Sequence, residues 1–240
     1  MDTLRTLSET KRTFYTQHTR PLNSIYRRVI EELLVEMHLL SVNTDFKYDP
    51  IYALGVTTVF DTFMQGYQPE KEKESIFNAI CQAVENDPQK YRQDAEKLKS
   101  IAANHSGEEV TACLSELKPL DGAEELTKVL QEIKNNSRFK YSRLFIIGLY
   151  TILETANPDL VTDDKKREEV LQKCCQGLGL PKEKVDKDLD LYRSNLEKME
   201  QARSVLEDAI KADRKQRERR QQQQKSSEVE LEKKEENTEA

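Results

Sequence analysis

Three histidines are the side chains of this sequence whose type best suits metal binding or proton transfer. His18, His38 and His105 lie far apart along the chain, so a metal site would require the fold to bring them together. His38 lies among apolar residues in a helical pattern, where a hydrogen-bonded histidine is more common than a ligand or a base. We therefore predict no metal site and no catalytic histidine.

A row of acidic residues resembles the start of a calcium-binding loop. Asp186, Asp188 and Asp190, followed by Glu197, occupy the spacing of the calcium ligands in an EF-hand. The sixth position of such a loop requires glycine for a sharp turn, and Leu191 occupies it here. We predict that this row is a solvated face of a helix and binds no calcium.

The sequence lacks the motifs that mark common enzyme classes. G-x-S-x-G, H-E-x-x-H, G-x-G-x-x-G, the P-loop and C-x-x-C do not occur in it. Its four cysteines, Cys81, Cys113, Cys174 and Cys175, give no disulfide framework in a chain of this length, and we expect buried, reduced thiols. We predict a protein that is not an enzyme and that uses no cofactor and no small-molecule substrate.

Composition indicates the fold class that must position any site. The chain has 240 residues, of which 34% are charged, and a net charge of −6. It contains only 7 glycines and 7 prolines, whereas an all-β protein needs a turn roughly every 8–12 residues. We predict an all-α protein, built as a multi-helix bundle followed by a long C-terminal helix.

Apolar residues at helical spacing and turn residues between them predict the helices of the bundle. Asp49 before Pro50 is typical of an N-cap followed by a proline at the first helical position. The predicted helices span residues 21–42, 53–64, 69–84, 87–103, 108–117, 123–135, 142–155 and 163–175. The predicted core includes Leu22, Ile25, Val29, Leu33, Leu34, Val56, Val59, Phe60, Phe63, Ile146 and Leu149.

From Pro181 onward the sequence contains no further proline or glycine, which predicts one long helix. Apolar residues follow a coiled-coil-like 4-3 spacing that Arg203 interrupts. This seam comprises Val185, Leu189, Tyr192, Leu196, Met199, Leu206 and Ile210. It could pack within the chain or against a second copy. We divide the chain into a bundle domain (residues 1–180), a long charged helix (181–225) and an acidic disordered tail (226–240).

The strongest basic patch lies in the long helix. Residues 211–225 contain 7 basic and 2 acidic residues, whereas residues 226–240 contain 6 acidic and 2 basic ones. The patch has no aromatic residue for stacking on bases and no apolar face for insertion into a bilayer. It is therefore either a solvated extension or a salt-sensitive contact with an anionic membrane or an acidic protein. The candidate contact residues are Lys211, Arg214, Lys215, Arg217, Arg219 and Arg220.

A second candidate binding surface lies at the start of the first predicted helix. Arg20, Asn23, Tyr26 and Arg27 form a polar string that apolar packing does not explain, and we expect them to be exposed and to bind a partner. The alternative is that they cap and brace the helix, with Arg27 paired to Glu31 one turn later. For the whole chain, the alternative function is a helical nucleic-acid- or lipid-binding module that uses the basic run of residues 211–225. The net charge of −6 argues against nucleic acid as the partner.

No segment is long and apolar enough to span a bilayer. The longest uncharged apolar stretch, residues 144–153, is well short of the roughly 20 residues that a transmembrane helix needs. The first residues lack the unbroken apolar segment of a secretory signal and contain acidic residues early. We expect the protein to stay in the compartment where it is made, with at most peripheral membrane contact.

Four segments carry a resemblance to a known family. They read RPLNSIYRRV at 20–29, ELLVEMHLLSVN at 32–43, YDPIYALGVTTVFDTFM at 48–64 and IFNAICQA at 76–83. Together they closely resemble the opening of the thylakoid formation family, also called photosystem II biogenesis proteins. Residues 84–180 match more loosely, and the charged C-terminal helix is similar to the coiled coil predicted for that family.

The resemblance implies a helical accessory protein without a cofactor or catalytic residues. It implies action in thylakoid membrane biogenesis and photosystem II repair, with an FtsH-type thylakoid protease and photosystem II-associated membrane proteins as partners. Plastid members begin with a transit peptide, whereas this chain reaches the family motif within its first dozen residues. We therefore expect a cyanobacterial member, peripheral on the cytoplasmic side of the thylakoid membrane. The surface that binds the protease, and whether the contact is direct, stay open.

Overall fold

The computed structural model describes residues 5–236, with side chains for all of them except 206, 207, 210, 213, 214 and 217–236. Within these residues it contains eleven α-helices and no β-strand, which confirms the predicted all-α fold. The helices are α1 (Leu7–Gln17), α2 (Ser24–Ser41), α3 (Pro50–Phe63), α4 (Glu72–Ala83), α5 (Pro88–Ala103), α6 (Gly107–Glu116), α7 (Glu124–Asn135), α8 (Arg143–Ala156), α9 (Asp159–Thr162), α10 (Asp164–Leu178) and α11 (Lys182–Glu236).

Helices α3 and α8 form the centre of the bundle, and two glycines allow them to touch along their backbones. A Cβ atom at Gly55 would lie 1.7 Å from the carbonyl oxygen of Leu144, and one at Gly148 would lie 1.9 Å from that of Ile51. Both helices are apolar over most of their circumference, as expected of helices that are buried all round. We call this contact the glycine crossing.

The N-terminal helix α1 is not among the helices that apolar spacing predicts. Thr6 and Glu9 form a capping box, in which the side chain of each accepts a hydrogen bond from the backbone N–H of the other. The helix buries Phe14 completely. Thr10 joins it to α2 through a 2.9 Å hydrogen bond between its Oγ1 and Nδ1 of His38, which confirms the predicted hydrogen-bonded helix histidine.

Helix α2 begins three residues later and ends one residue earlier than predicted, and its buried face differs in part from the predicted one. Leu33 and Leu34 are buried as predicted, whereas Ile25 and Val29 are only half-buried, so their place in the core was wrongly assigned. The buried row runs instead through Tyr26, Ile30, Leu33, Leu34, Met37, His38 and Leu40. Apolar residues occur on nearly every side of α2, so periodicity alone could not fix which face is buried. Val59 of α3, also placed in the core, is half-buried as well.

The predicted long final helix is present as α11. Its seam begins inside the bundle, where Val185, Leu189 and Tyr192 are buried and the ring of Tyr192 lies edge-on to Phe63 with centroids 6.0 Å apart. These seam residues therefore pack within the chain. The side chains of Leu206 and Ile210 lie outside the described residues, so the coiled coil stays a prediction.

Two compact units, Met1–Leu196 and Glu197–Ala240, divide the chain. The predicted domain boundaries after residues 180 and 225 stay predictions. The backbone of residues 226–236 belongs to α11, whereas their charged composition predicts a disordered acidic tail. A helix that is already nucleated can continue through a charged stretch, because propagation costs less than nucleation. Between residues 5 and 236, no helix combines the length and the apolar character needed to span a membrane.

Candidate partner-binding groove along helix α2

One face of α2 packs on the bundle, and the other lines an open groove of about 1180 Å³. Residues of α2 and its C-terminal end contribute to the groove at helical spacing. They are Ser24, Arg27, Arg28, Glu31, Glu32, Val35, Glu36, Leu39, Leu40 and Asn43. Three other elements border the groove. They contribute Lys11 of α1, residues 140–143 before and at the start of α8, and Lys184 and Asp188 of α11. We call this surface the α2 groove.

The apolar part of the α2 groove lies toward the C-terminal half of the helix. Leu39 is 59% exposed, and Val35, one turn earlier, is half-buried. Large exposed apolar side chains are few among the described residues: Tyr15, Leu39, Leu191 and Val205. A leucine that lies exposed inside a concave surface offers apolar area to a partner.

The glutamates near the N-terminal half of the groove already have hydrogen-bond partners. Glu31 accepts a 2.7 Å hydrogen bond from the hydroxyl of Tyr15 and one of 3.2 Å from Nζ of Lys11. These bonds help to hold the pKa of Glu31 below its usual value. Glu32 accepts a 2.9 Å hydrogen bond from Nε of Arg28. The cations Lys11 and Arg28 therefore offset the negative charge of these two carboxylates and reduce their repulsion of an acidic partner.

A polar network forms the opposite border of the groove. Arg143 at the first position of α8 donates a 2.6 Å hydrogen bond to Glu36 of α2. Burial raises the pKa of the Glu36 carboxyl, and Arg143 opposes that rise. Tyr141 donates a 2.8 Å hydrogen bond to Asp188 of α11, and Nζ of Lys184 lies 4.7 Å above the Tyr141 ring. Together these contacts join α2, α8 and α11.

Six basic and four acidic residues line the groove, although the whole chain has a net charge of −6. Three of the cations take part in the salt bridges described above: Lys11, Arg28 and Arg143. The other three form no salt bridge with any side chain that the structure describes: Arg27, Lys140 and Lys184. The groove is therefore a locally positive surface with an apolar patch, which suits binding of a polypeptide.

The four polar residues predicted at the start of α2 do not share one surface role. Arg27 is exposed and lines the groove, while Glu31, its expected partner, bonds to other side chains. Asn23 caps α2 by accepting a 3.1 Å hydrogen bond from the backbone N–H of Ile25. Arg20 forms a salt bridge with Glu72 of α4. The binding role of Arg20, Asn23 and Arg27 stays a prediction.

The expectation that Tyr26 is exposed is wrong. The residue is 3% exposed, its hydroxyl donates a 3.1 Å hydrogen bond to the carbonyl of Gln65, and its ring packs edge-on to Tyr67 with centroids 5.1 Å apart. A tyrosine inside a polar string can be buried when a backbone carbonyl accepts its hydroxyl proton. This residue therefore belongs to the core.

The basic run of α11 is described only in part. Lys211 and Lys215 are exposed, as a contact surface requires. The side chains of the other four candidate contact residues lie outside the described residues: Arg214, Arg217, Arg219 and Arg220. The role of this run stays a prediction.

The remaining chemically suggestive residues have structural roles in this fold. The acidic row lies on helix α11 rather than in a loop, and Asp186 pairs there with Lys182 at 2.6 Å, so the EF-hand spacing reflects a helix face as predicted. All four cysteines are free and buried, which confirms the expected buried thiols. Burial raises the pKa of Cys174 to about 12, so this thiol is protonated and unreactive at neutral pH.

Of the residues that give the groove its character, the sequence pattern indicates only Arg27 as a candidate binding residue. Leu39 could have been found, because it is an apolar residue off the buried row of α2. Lys140, Tyr141 and Lys184 gave no such signal, since they reach the groove from elements more than 90 residues away in sequence.

Comparison with known proteins places the chain in a family. The family model described as thylakoid formation protein matches residues 6–221. Protein Thf1 of Nostoc sp. is 62% identical over 218 residues, which cover 91% of this chain and 94% of that protein. Protein Thf1 of Gloeothece citriformis is 56% identical over 219 residues, with 91% and 97% covered. Protein Thf1 of Acaryochloris marina is 49% identical over 218 residues, with 91% and 88% covered.

A solved structure of Psb29 shares the fold and 44% of the aligned sequence. Its TM-score is 0.77, and the match covers 89% of this chain and 98% of that one. The family model and the cyanobacterial relatives each match about nine-tenths of this chain, and they confirm the resemblance carried by the four N-terminal segments. The chain belongs to the thylakoid formation protein family.

Proposed function

We propose that this protein is a non-enzymatic accessory protein that acts with an FtsH-type thylakoid protease in photosystem II repair. Family membership supports the general role in thylakoid formation. The structural observation that supports binding as the means is the α2 groove, where three cations outside salt bridges and an exposed leucine line one concave surface. Such a surface can hold a partner without any chemical step.

The proposed location is peripheral, on the cytoplasmic side of the thylakoid membrane. The basic run of residues 211–225 supports membrane contact, with Lys211 and Lys215 exposed on α11. Each cation near an anionic leaflet contributes about 1 kcal/mol before screening by salt. Such contact would keep the protein close to membrane-bound partners without inserting it into the bilayer.

Affinity isolation of the tagged full-length protein from solubilised cyanobacterial thylakoids tests this proposal. We expect enrichment of the FtsH-type protease relative to a tagged soluble helical protein of similar size and charge, with more protease recovered under damaging light. A strain without the protein should also recover photosystem II activity more slowly after light damage. Equal protease in both isolates, together with normal recovery in the deletion strain, contradicts the proposal.

A further inference from the structure

We infer that the α2 groove binds one amphipathic helix of a partner protein, with acidic and apolar residues on the helix face that enters the groove. The inference rests on the proposed function, since it specifies the kind of partner segment that the accessory protein holds. Length, apolar anchoring and charge each contribute to it.

The length of the groove matches a helix. Its lining along α2 runs from Ser24 to Asn43, which at 1.5 Å per residue is about 28 Å, or roughly five helical turns. A helix laid in a groove presents its anchors at positions i, i+3, i+4 and i+7. The open surface of α2 follows the same spacing, so two helices can pack along this length.

The apolar patch provides the anchor. Leu39 is 59% exposed and Val35 lies one turn before it, so one or two apolar side chains of the partner can bury area against them. A bilayer is a weaker fit for this surface, because it is broad and flat whereas the groove is concave and its apolar residues lie between charged borders. A protein segment can enter the groove and contact these apolar residues.

Charge complementarity selects an acidic segment. The groove acids Glu31, Glu32, Glu36 and Asp188 already accept hydrogen bonds from protein side chains. The cations without a salt bridge come from three separate elements: Arg27 from α2, Lys140 from the segment before α8, and Lys184 from α11. Carboxylates on both flanks of an apolar stripe can therefore reach a cation, whereas a basic helix would meet repulsion at each place.

Three synthetic 20-residue helical peptides test the inference with the full-length protein. One has leucines and glutamates on the same face, the second has lysine in place of glutamate, and the third has serine in place of leucine. Fluorescence anisotropy should show binding of the first peptide at least tenfold tighter than binding of the others, and weaker at high salt. Equal affinity for the three peptides would overturn the inference.

Matched variants locate the binding site. L39E should weaken binding of the first peptide, the acidic apolar peptide, at least tenfold. L191E should not change this binding, because Leu191 is 45% exposed on α11 and lies outside the groove lining. R27E should weaken binding severalfold, and K134E, at an exposed lysine of α7, should not. Circular dichroism checks that each variant is folded, and L39A replaces L39E if the latter is not. Equal losses in L39E and L191E place the peptide elsewhere and overturn the inference.

Two further outcomes contradict this occupant. Anionic phosphatidylglycerol vesicles that compete fully with the peptide, and whose binding is lost in L39E, would assign the groove to a membrane. A dimer in sedimentation that L39E dissociates would assign it to a second copy. If the protease is recovered equally with wild type and L39E, the groove inference fails while the proposed function stands. If the peptide binds as expected but no protease is enriched, the proposed function fails while the groove inference stands.

Discussion

The glycine crossing and the α2 groove use the same secondary structure for opposite purposes. At the crossing, α3 and α8 approach until a single methyl group would overlap a backbone carbonyl. Along the groove, α2 leaves an exposed leucine and cations without salt bridges. Contacts at the crossing fix where the helices lie, so they leave no room for change. Exposed side chains of the groove, such as Arg27 and Leu39, can change at little cost to stability, which is a property that a binding surface needs.

The largest expected effect comes from adding one methyl group at the crossing. Gly148→Ala places a Cβ atom 1.9 Å from the carbonyl oxygen of Ile51 and 3.0 Å from the amide nitrogen of Gly55. These neighbours are backbone atoms, which cannot rotate away as a side chain would. We therefore expect a loss of about 3 kcal/mol or more in the free energy of unfolding, at the upper end for overpacked cores.

Urea unfolding followed by circular dichroism measures this loss, and Gly122→Ala is the control. Gly122 has nothing within 4 Å of an added Cβ atom but has a φ of +72°, so its substitution reports backbone strain alone, about 1 kcal/mol. Equal losses at the two glycines would show that close packing of α3 on α8 adds nothing, and the contrast between crossing and groove would fail.

The next effect compares the buried face of α2 with an exposed leucine. Leu33 is 3% exposed, and its truncation to alanine should cost about 2–5 kcal/mol through lost burial and a cavity. Leu191→Ala, at a residue 45% exposed on α11, is the matched control and should change stability by less than about 0.5 kcal/mol. A loss at Leu33 below that limit, measured by urea unfolding, would show that α2 contributes little to the core.

Helix positions in this chain follow from local signals. Asp49 before Pro50 marks the start of α3 as predicted, because capping depends on a few adjacent residues. The Thr6–Glu9 capping box gave the same kind of signal for α1, but the segment is polar (LSETKRTFYTQ) and its only buried large apolar residue is Phe14. Periodicity therefore had little to detect there.

Faces and sites depend on distant residues, which local signals do not report. The buried row of α2 is fixed by what packs against it, and that is why Tyr26 is in the core while Val29 is half-buried. The groove requires Glu36 to meet Arg143 across 107 positions of sequence. A single sequence gives no measure of such distant contacts.

A smaller effect, with a pH dependence, tests the polar border of the groove. In Arg143→Met the carboxyl of Glu36 loses its cation while it stays largely buried, with 19% of its side chain exposed. We expect a loss of about 1–2 kcal/mol at pH 8, below the range for fully buried pairs because both side chains keep some contact with water.

The direction of the pH dependence follows from the pKa of Glu36. Burial raises the pKa of Glu36 in the folded protein above its usual value of 4.5, and removal of Arg143 raises this pKa further. A raised folded-state pKa means that the folded state binds the proton more tightly than the unfolded state does. The loss of stability caused by Arg143→Met is therefore absent below the usual pKa and grows as the pH rises through the raised value. Urea unfolding at pH 4.5 and pH 8 should show the larger loss at pH 8. An equal loss at both would show that Arg143 contributes packing rather than charge.

The smallest effect on stability is expected at Arg27. A substitution there should weaken binding and hardly change stability, whereas a substitution at the glycine crossing should lower stability. Arg27→Glu removes a cation from the first turns of α2, which the helix dipole favours by a few tenths of a kcal/mol. It also places a carboxylate four residues before Glu31, which costs a similar amount. Since Arg27 is exposed and forms no salt bridge with a described side chain, the net change should stay within about 0.5 kcal/mol.

Lys134→Glu is the control for Arg27→Glu, because it removes a cation from the last turn of α7 and should cost about 0.3–1 kcal/mol. The control is thus expected to lose at least as much stability as Arg27→Glu yet keep full binding of the acidic apolar peptide, while Arg27→Glu loses binding severalfold. If stability and binding instead fall together in both variants, Arg27 acts through the fold and the groove is not a separate binding surface.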